Sequence, residues 1–166
     1  MIPRQIFVPL LALLCSASYA TAQPKLVIGT YQKGNNITEP RPKKSEYLET
    51  LHGGIVLIDD QAGYYLFTRV VKHPKRELYI KVEYQDPAGG KPLVNDMPFM
   101  PTAEELHFSA PHGVKGLKSY GDYQIVVKVF ASKDSKEPLD ILKQTVRSYV
   151  DTRGPKPQLF TGMKEK

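Results

Sequence analysis

Residues 120–130 (YGDYQIVVKVF) and 139–150 (LDILKQTVRSYV) decide how this chain is read. In the first run Tyr123, Ile125, Val127 and Val129 alternate with Asp122, Gln124, Val126 and Lys128. Period-2 alternation rich in β-branched and aromatic residues marks a half-buried strand, because successive side chains point to opposite faces. The polar residues 131–138 between the two runs make them a closing antiparallel hairpin. The rest of the chain must then cover its apolar face.

Working outward, residues 77–85 (ELYIKVEYQ) are the clearest further strand. Leu78, Ile80, Val82 and Tyr84 point one way, and Glu77, Tyr79, Lys81 and Glu83 the other. Residues 54–58 and 63–71 flank a turn at 59–62, which predicts a hairpin with a four-residue loop. Pro74 lacks a ladder donor and ends that second strand in the basic corner 72–76. Residues 45–51 fit a short strand and a single helical turn equally. The three prolines of 92–101 fit an edge segment or a crossover. Residues 102–105 have capping-box spacing for one helical turn, and 106–109 also read as a strand. Earlier, 25–32 (KLVIGTYQ) predict a first strand, and 33–44 an exposed loop carrying the sequon Asn36-Ile37-Thr38. The sequon has a meaning only in a eukaryotic source.

The sum is an all-β protein of seven or eight short strands, a single antiparallel β-sandwich over residues 23–150. A closed β-barrel is the alternative, since alternation does not report closure. Residues 151–166 (DTRGPKPQLFTGMKEK) read as a flexible basic tail.

The N-terminal end reads as a signal peptide over residues 1–22: Arg4, an apolar run at 6–14, then small residues ending in Ala20-Thr21-Ala22. The apolar run is far shorter than the roughly 20 residues of a membrane span, and Pro9 interrupts it. Leu14 before Cys15 argues against a lipoprotein signal. The expectation is an exported protein, periplasmic or secreted, with no transmembrane segment after cleavage at Gln23. Cleavage also removes Cys15, the single cysteine, and with it disulfides, thiol nucleophiles and thiolate metal sites.

The run Gly121-Asp122-Tyr123-Gln124-Ile125-Val126-Val127 resembles the G-x-[YW]-x-[IV]-x-[VF] segment that opens the last hairpin of many exported Ig-like sandwiches. The order of strands and turns over residues 54–150 is similar to that of small exported bacterial domains of this Ig-like kind. The resemblance implies a fold and carries no functional residue. It also implies that Tyr123 anchors a tyrosine corner, with its ring in the core and its hydroxyl on nearby backbone. The Cys…Trp…Cys set of antibody domains is absent, for the chain has no tryptophan.

Catalytic signals are missing. His107 and His112, with Glu104 and Glu105 before them, offer imidazole and carboxylate, but H-x₄-H is not a metal-ligand spacing. Asp59-Asp60 lacks the alternating acids of a calcium loop. Ser109, Ser119 and Ser132 have no G-x-S-x-G setting, and Gly113-Val114-Lys115-Gly116 is too short for a phosphate loop. No cofactor is expected. Basic clusters at 41–44, 72–76 and 115–118 suit an anionic ligand, yet the net charge of +6 is modest and no nucleic-acid motif is present. One of the adjacent Tyr64 and Tyr65 must face outward, and Tyr79 lies on the wet face of its strand. The candidate binding residues are Tyr64, Tyr79, Lys72, Arg76, His112, Lys115 and Lys118. The expected role is a non-catalytic module that binds a protein or an envelope component, with exposed tyrosines and basic loops sharing one face. The alternative is a lipid or glycan binder with a pocket between the sheets.

Overall fold

In a computed structural model of the protein, residues 41–58, 60–110 and 113–159 are described. The predicted leader, the strand expected over 25–32, the sequon at Asn36, Asp59, His112 and the last residues of the predicted tail lie outside them.

The described chain is all-β, without a helix, in antiparallel sheets that do not close. β1 (Leu48–Ile58), β2 (Gln61–Val70) and β5 (Glu105–Ser109) form a three-stranded sheet in the order 1-2-5. β3 (Leu78–Tyr84), β4 (Leu93–Phe99), β6 (Asp122–Phe130) and β7 (Asp140–Arg147) form a four-stranded sheet in the order 4-3-6-7. β8 (Val150–Asp151) and β9 (Gln158–Leu159) make a small ribbon. The open edges replace the closed barrel of the alternative reading. The proline-bearing 92–101 supplies β4, an edge strand, where Pro98 needs no ladder partner on its open side. Residues 105–109 form a strand and not a helical turn.

Alternation produces the core. Ile80, Val82 and Tyr84 of β3, Ile125, Val127 and Val129 of β6 and Leu142 and Val146 of β7 are buried. They join Leu48, Ile55, Leu57, Tyr64, Leu66, Leu106 and Phe108 of the other sheet in one continuous cluster. Each such side chain removed from water contributes about 1.5–3 kcal/mol, so this shared cluster dominates the stability.

Two local devices set the register. β1 is one strand of 11 residues, broken between Thr50 and His52 by a bulge at Leu51. The extra residue switches the inward set from Leu48 and Thr50 to Gly53, Ile55 and Leu57. The following turn is shorter than the expected four residues, because Ile58 pairs directly with Gln61. Asp60 takes φ 58° there, a left-handed conformation that aspartate tolerates better than most residues.

Tyr123 sits where the corner motif predicts. Its ring is in the core, and its hydroxyl accepts the Lys118 amide at 2.7 Å. This geometry explains the G-x-Y run: a Cβ at Gly121 would lie 2.8 Å from the Tyr123 hydroxyl and 3.0 Å from the Lys118 carbonyl. Glycine is needed there for close approach.

Candidate functional site

The seven candidate residues do not come together. Tyr64 is 0% exposed; its ring stacks on Tyr84 at 5.6 Å and its hydroxyl donates to the Gln85 carbonyl at 2.8 Å. It is a core residue, not a contact surface. Tyr79 lies half-buried on the outer face of the four-stranded sheet, hydrogen-bonded to Asp96, which pushes its phenol pKa up. Lys133 reaches over its ring at 5.9 Å. Lys72 is committed within the chain, paired with Glu46 and held over the Tyr47 ring at 5.0 Å. Arg76 is exposed beside it, at a cleft also lined by Tyr47 and Leu139.

Lys115 and Lys118 are exposed at the other end of β2, where the Val114 amide bonds the Ala62 carbonyl. The basic corner 72–76 instead follows Val70. A ten-residue strand separates these two ends by about 30 Å. The two basic loops therefore lie at opposite ends of β2. His112 lies outside the described residues.

The feature the structure assembles in their place is on the outer face of the three-stranded sheet. Register places His52 of β1 opposite Phe67 of β2, and Phe67 opposite His107 of β5. The three rings form a row across all three strands. His52 stacks on Phe67 with centroids 4.3 Å apart, and His107 leans on its other side at 4.2 Å. Tyr65, the outward member of the tyrosine pair, flanks the row at 5.8 Å from His52 and 5.7 Å from Phe67. Glu105 stands 3.8 Å from the His107 imidazole, and beyond it Arg69 pairs with Glu49 at 2.6 Å.

Such a face is usually polar when it meets water. Here an apolar strip with imidazole edges lies between charges. Burial, and then the neighbouring His107, lower the His52 pKa, while Glu105 acts weakly the other way. His52 is thus held toward its neutral form. Below about pH 6.5, the ordinary histidine value, the unfolded chain takes up the His52 proton before the folded one does. Stability is therefore expected to fall as pH drops through that range and level off below the folded pKa. His52→Gln should flatten this part of the profile in thermal melts at stepped pH; an unchanged slope would mean that His52 is not held neutral by the fold.

The row has hydrogen-bonding edges but no nucleophile paired with a base. Among the described residues no group of three or more His, Cys, Asp or Glu is placed to hold a metal ion. Sequence reading found His107 and missed His52 and Phe67. Their only signal was the opposite parity of Phe67 to Tyr64 and Leu66, and the partner of Phe67 depends on the bulge.

The class that fold and site define is an all-β protein of open antiparallel sheets with an aromatic strip on one outer face. Comparison of the chain with family models, with curated proteins and with solved structures finds no match.

Proposed function

We propose that this protein is an exported, non-catalytic interaction module of Ig-like β-sandwich build, docking onto another protein or an envelope component. One observation carries the reading: the His52–Phe67–His107 row with Tyr65 on the outer face of the three-stranded sheet. Aromatic side chains ringed by charged residues are the composition of interface hot spots. The strand orders 1-2-5 and 4-3-6-7, with a tyrosine corner at the start of β6, support the Ig-like build. Export rests on the leader-like residues 1–22. The wide separation of Lys72 and Arg76 from Lys115 and Lys118 speaks against a single anion pocket and for an extended contact.

The test compares immobilised wild-type protein with Phe67→Asp and with the distant Lys143→Ala as bait for envelope and extracellular fractions. A discrete partner retained by wild type and Lys143→Ala, but bound at least tenfold more weakly by folded Phe67→Asp, is the expected result. Equal capture by all three, or capture of nothing, overturns the proposal.

A further inference from the structure

The two seams between the sheets are built differently. At the β1/β7 seam, residues 41–47 fill the gap. The Lys43 amide donates to Gln144 Oε1 at 3.0 Å, Gln144 Nε2 to the Arg41 carbonyl at 3.1 Å, and the Tyr47 amide to Asp140 at 2.9 Å. No described segment runs between β4 and β5, the edge strands of the opposite seam. The Asn95 amide donates across it to the Ser109 carbonyl, and a cleft of about 400 Å³ opens there. That volume lies within the range of small-molecule sites.

The cleft has a polar group at its wall that the fold leaves unused. Tyr84 is 0% exposed and lines the cleft, and its hydroxyl finds no acceptor in the fold. Burial raises the pKa of this phenol, so it stays protonated and able to donate. The Asn95 amide, which also donates to the Ser109 carbonyl, acts on the phenol oxygen as a donor and counters part of that rise, leaving the phenol's own O–H without an acceptor. A buried hydroxyl without a partner is costly, and folded proteins rarely keep one. Neither of the other such groups, Thr50 Oγ1 and Ser119 Oγ, lines this cleft.

We propose that the β4/β5 seam binds a neutral, hydroxyl-rich small molecule of saccharide type, with the Tyr84 hydroxyl as its innermost hydrogen-bond partner. The lining explains the class. Val82 and Phe108 give an apolar wall for the C–H face of a sugar ring. Asn95, Ser109 and His107 mix amide, hydroxyl and imidazole, which match groups that donate and accept at once. No lysine or arginine lines the cleft, so no fixed cationic side chain there favours an anion. His107 borders both this cleft and the Phe67 strip, but the proposal stands on Tyr84 and does not rest on the strip.

The test titrates galactose, N-acetylglucosamine and maltose, each to millimolar concentration, into isotope-labelled protein, with palmitate and putrescine as apolar and cationic probes. Amide shifts confined to β4, β5 and Tyr84 with at least one saccharide, and none with palmitate or putrescine, are expected. Tyr84→Phe removes only the hydroxyl. It should weaken saccharide affinity about tenfold while leaving the melting temperature unchanged or raised, since the fold loses an unpartnered polar group. A lower melting temperature would mark the hydroxyl as structural and overturn the idea. So would tighter binding of putrescine or palmitate, or an ordered water capping the Tyr84 hydroxyl with no saccharide shift at the seam.

Discussion

Tyr64→Ala is expected to destabilise the protein by about 4 kcal/mol, and Tyr64→Phe by about 1 kcal/mol. Tyr64 is fully buried, stacked on Tyr84 and edge-on to Tyr123 at 6.4 Å. Truncating it opens a cavity where both sheets contribute side chains, and a close-packed interior relaxes only in part around such a void. The phenylalanine variant isolates the hydroxyl, which donates to the Gln85 carbonyl at 2.8 Å at the end of β3. That bond ties the sheet of β2 to the sheet of β3. Urea unfolding with unchanged m-value measures both variants. A cost within about 0.5 kcal/mol for Tyr64→Ala, the range of a surface substitution, would contradict its place in the core.

Tyr64 also shows how far the sequence could be read. Parity in β2 requires one of Tyr64 and Tyr65 to face outward, and Tyr65 does so. Parity alone does not say which face of a strand is the core. Tyr65 is only 8% exposed, since neighbours on the outer face cover it nearly as well as the core covers Tyr64. The strands of the closing hairpin and β3 were legible because one face is apolar and the other polar along their whole length. β1 was not, because Leu51 inserts one residue and inverts the alternation midway. Residues 45–51 and 54–58 therefore read as separate pieces, although one strand runs from Leu48 to Ile58. The same bulge sets His52 opposite Phe67; without it His52 would point into the core. The aromatic row is a product of register, and no spacing within a single segment encodes it. The basic clusters were visible in the sequence, but their separation is fixed by the length of β2.

Gln144→Ala is expected to cost about 3 kcal/mol, more than the truncation of an exposed glutamine by an order of magnitude. Gln144 is 0% exposed in β7. Its side chain accepts from the Lys43 amide at 3.0 Å and donates to the Arg41 carbonyl at 3.1 Å and the Thr145 carbonyl at 2.7 Å. Removing it leaves backbone groups of the lead-in segment unpartnered and opens a void behind them. Lys43 in turn accepts the Thr50 amide of β1 at 2.8 Å, so the loss should spread to the strand just before the bulge. Gln144→Leu keeps most of the volume and should cost about 2 kcal/mol, which separates the polar contribution from the cavity. Gln144→Glu keeps the acceptor but cannot donate to the two carbonyls, and it buries a charge, so it should be at least as damaging as alanine. Hydrogen exchange gives the local readout: amides of Lys43 and Thr50 should lose protection in all three variants, while those of β4 and β5 keep theirs. Equal loss at both seams would mean that Gln144 supports the core as a whole. Selective loss would establish that this polar side chain closes one seam of a fold whose other seam stays open.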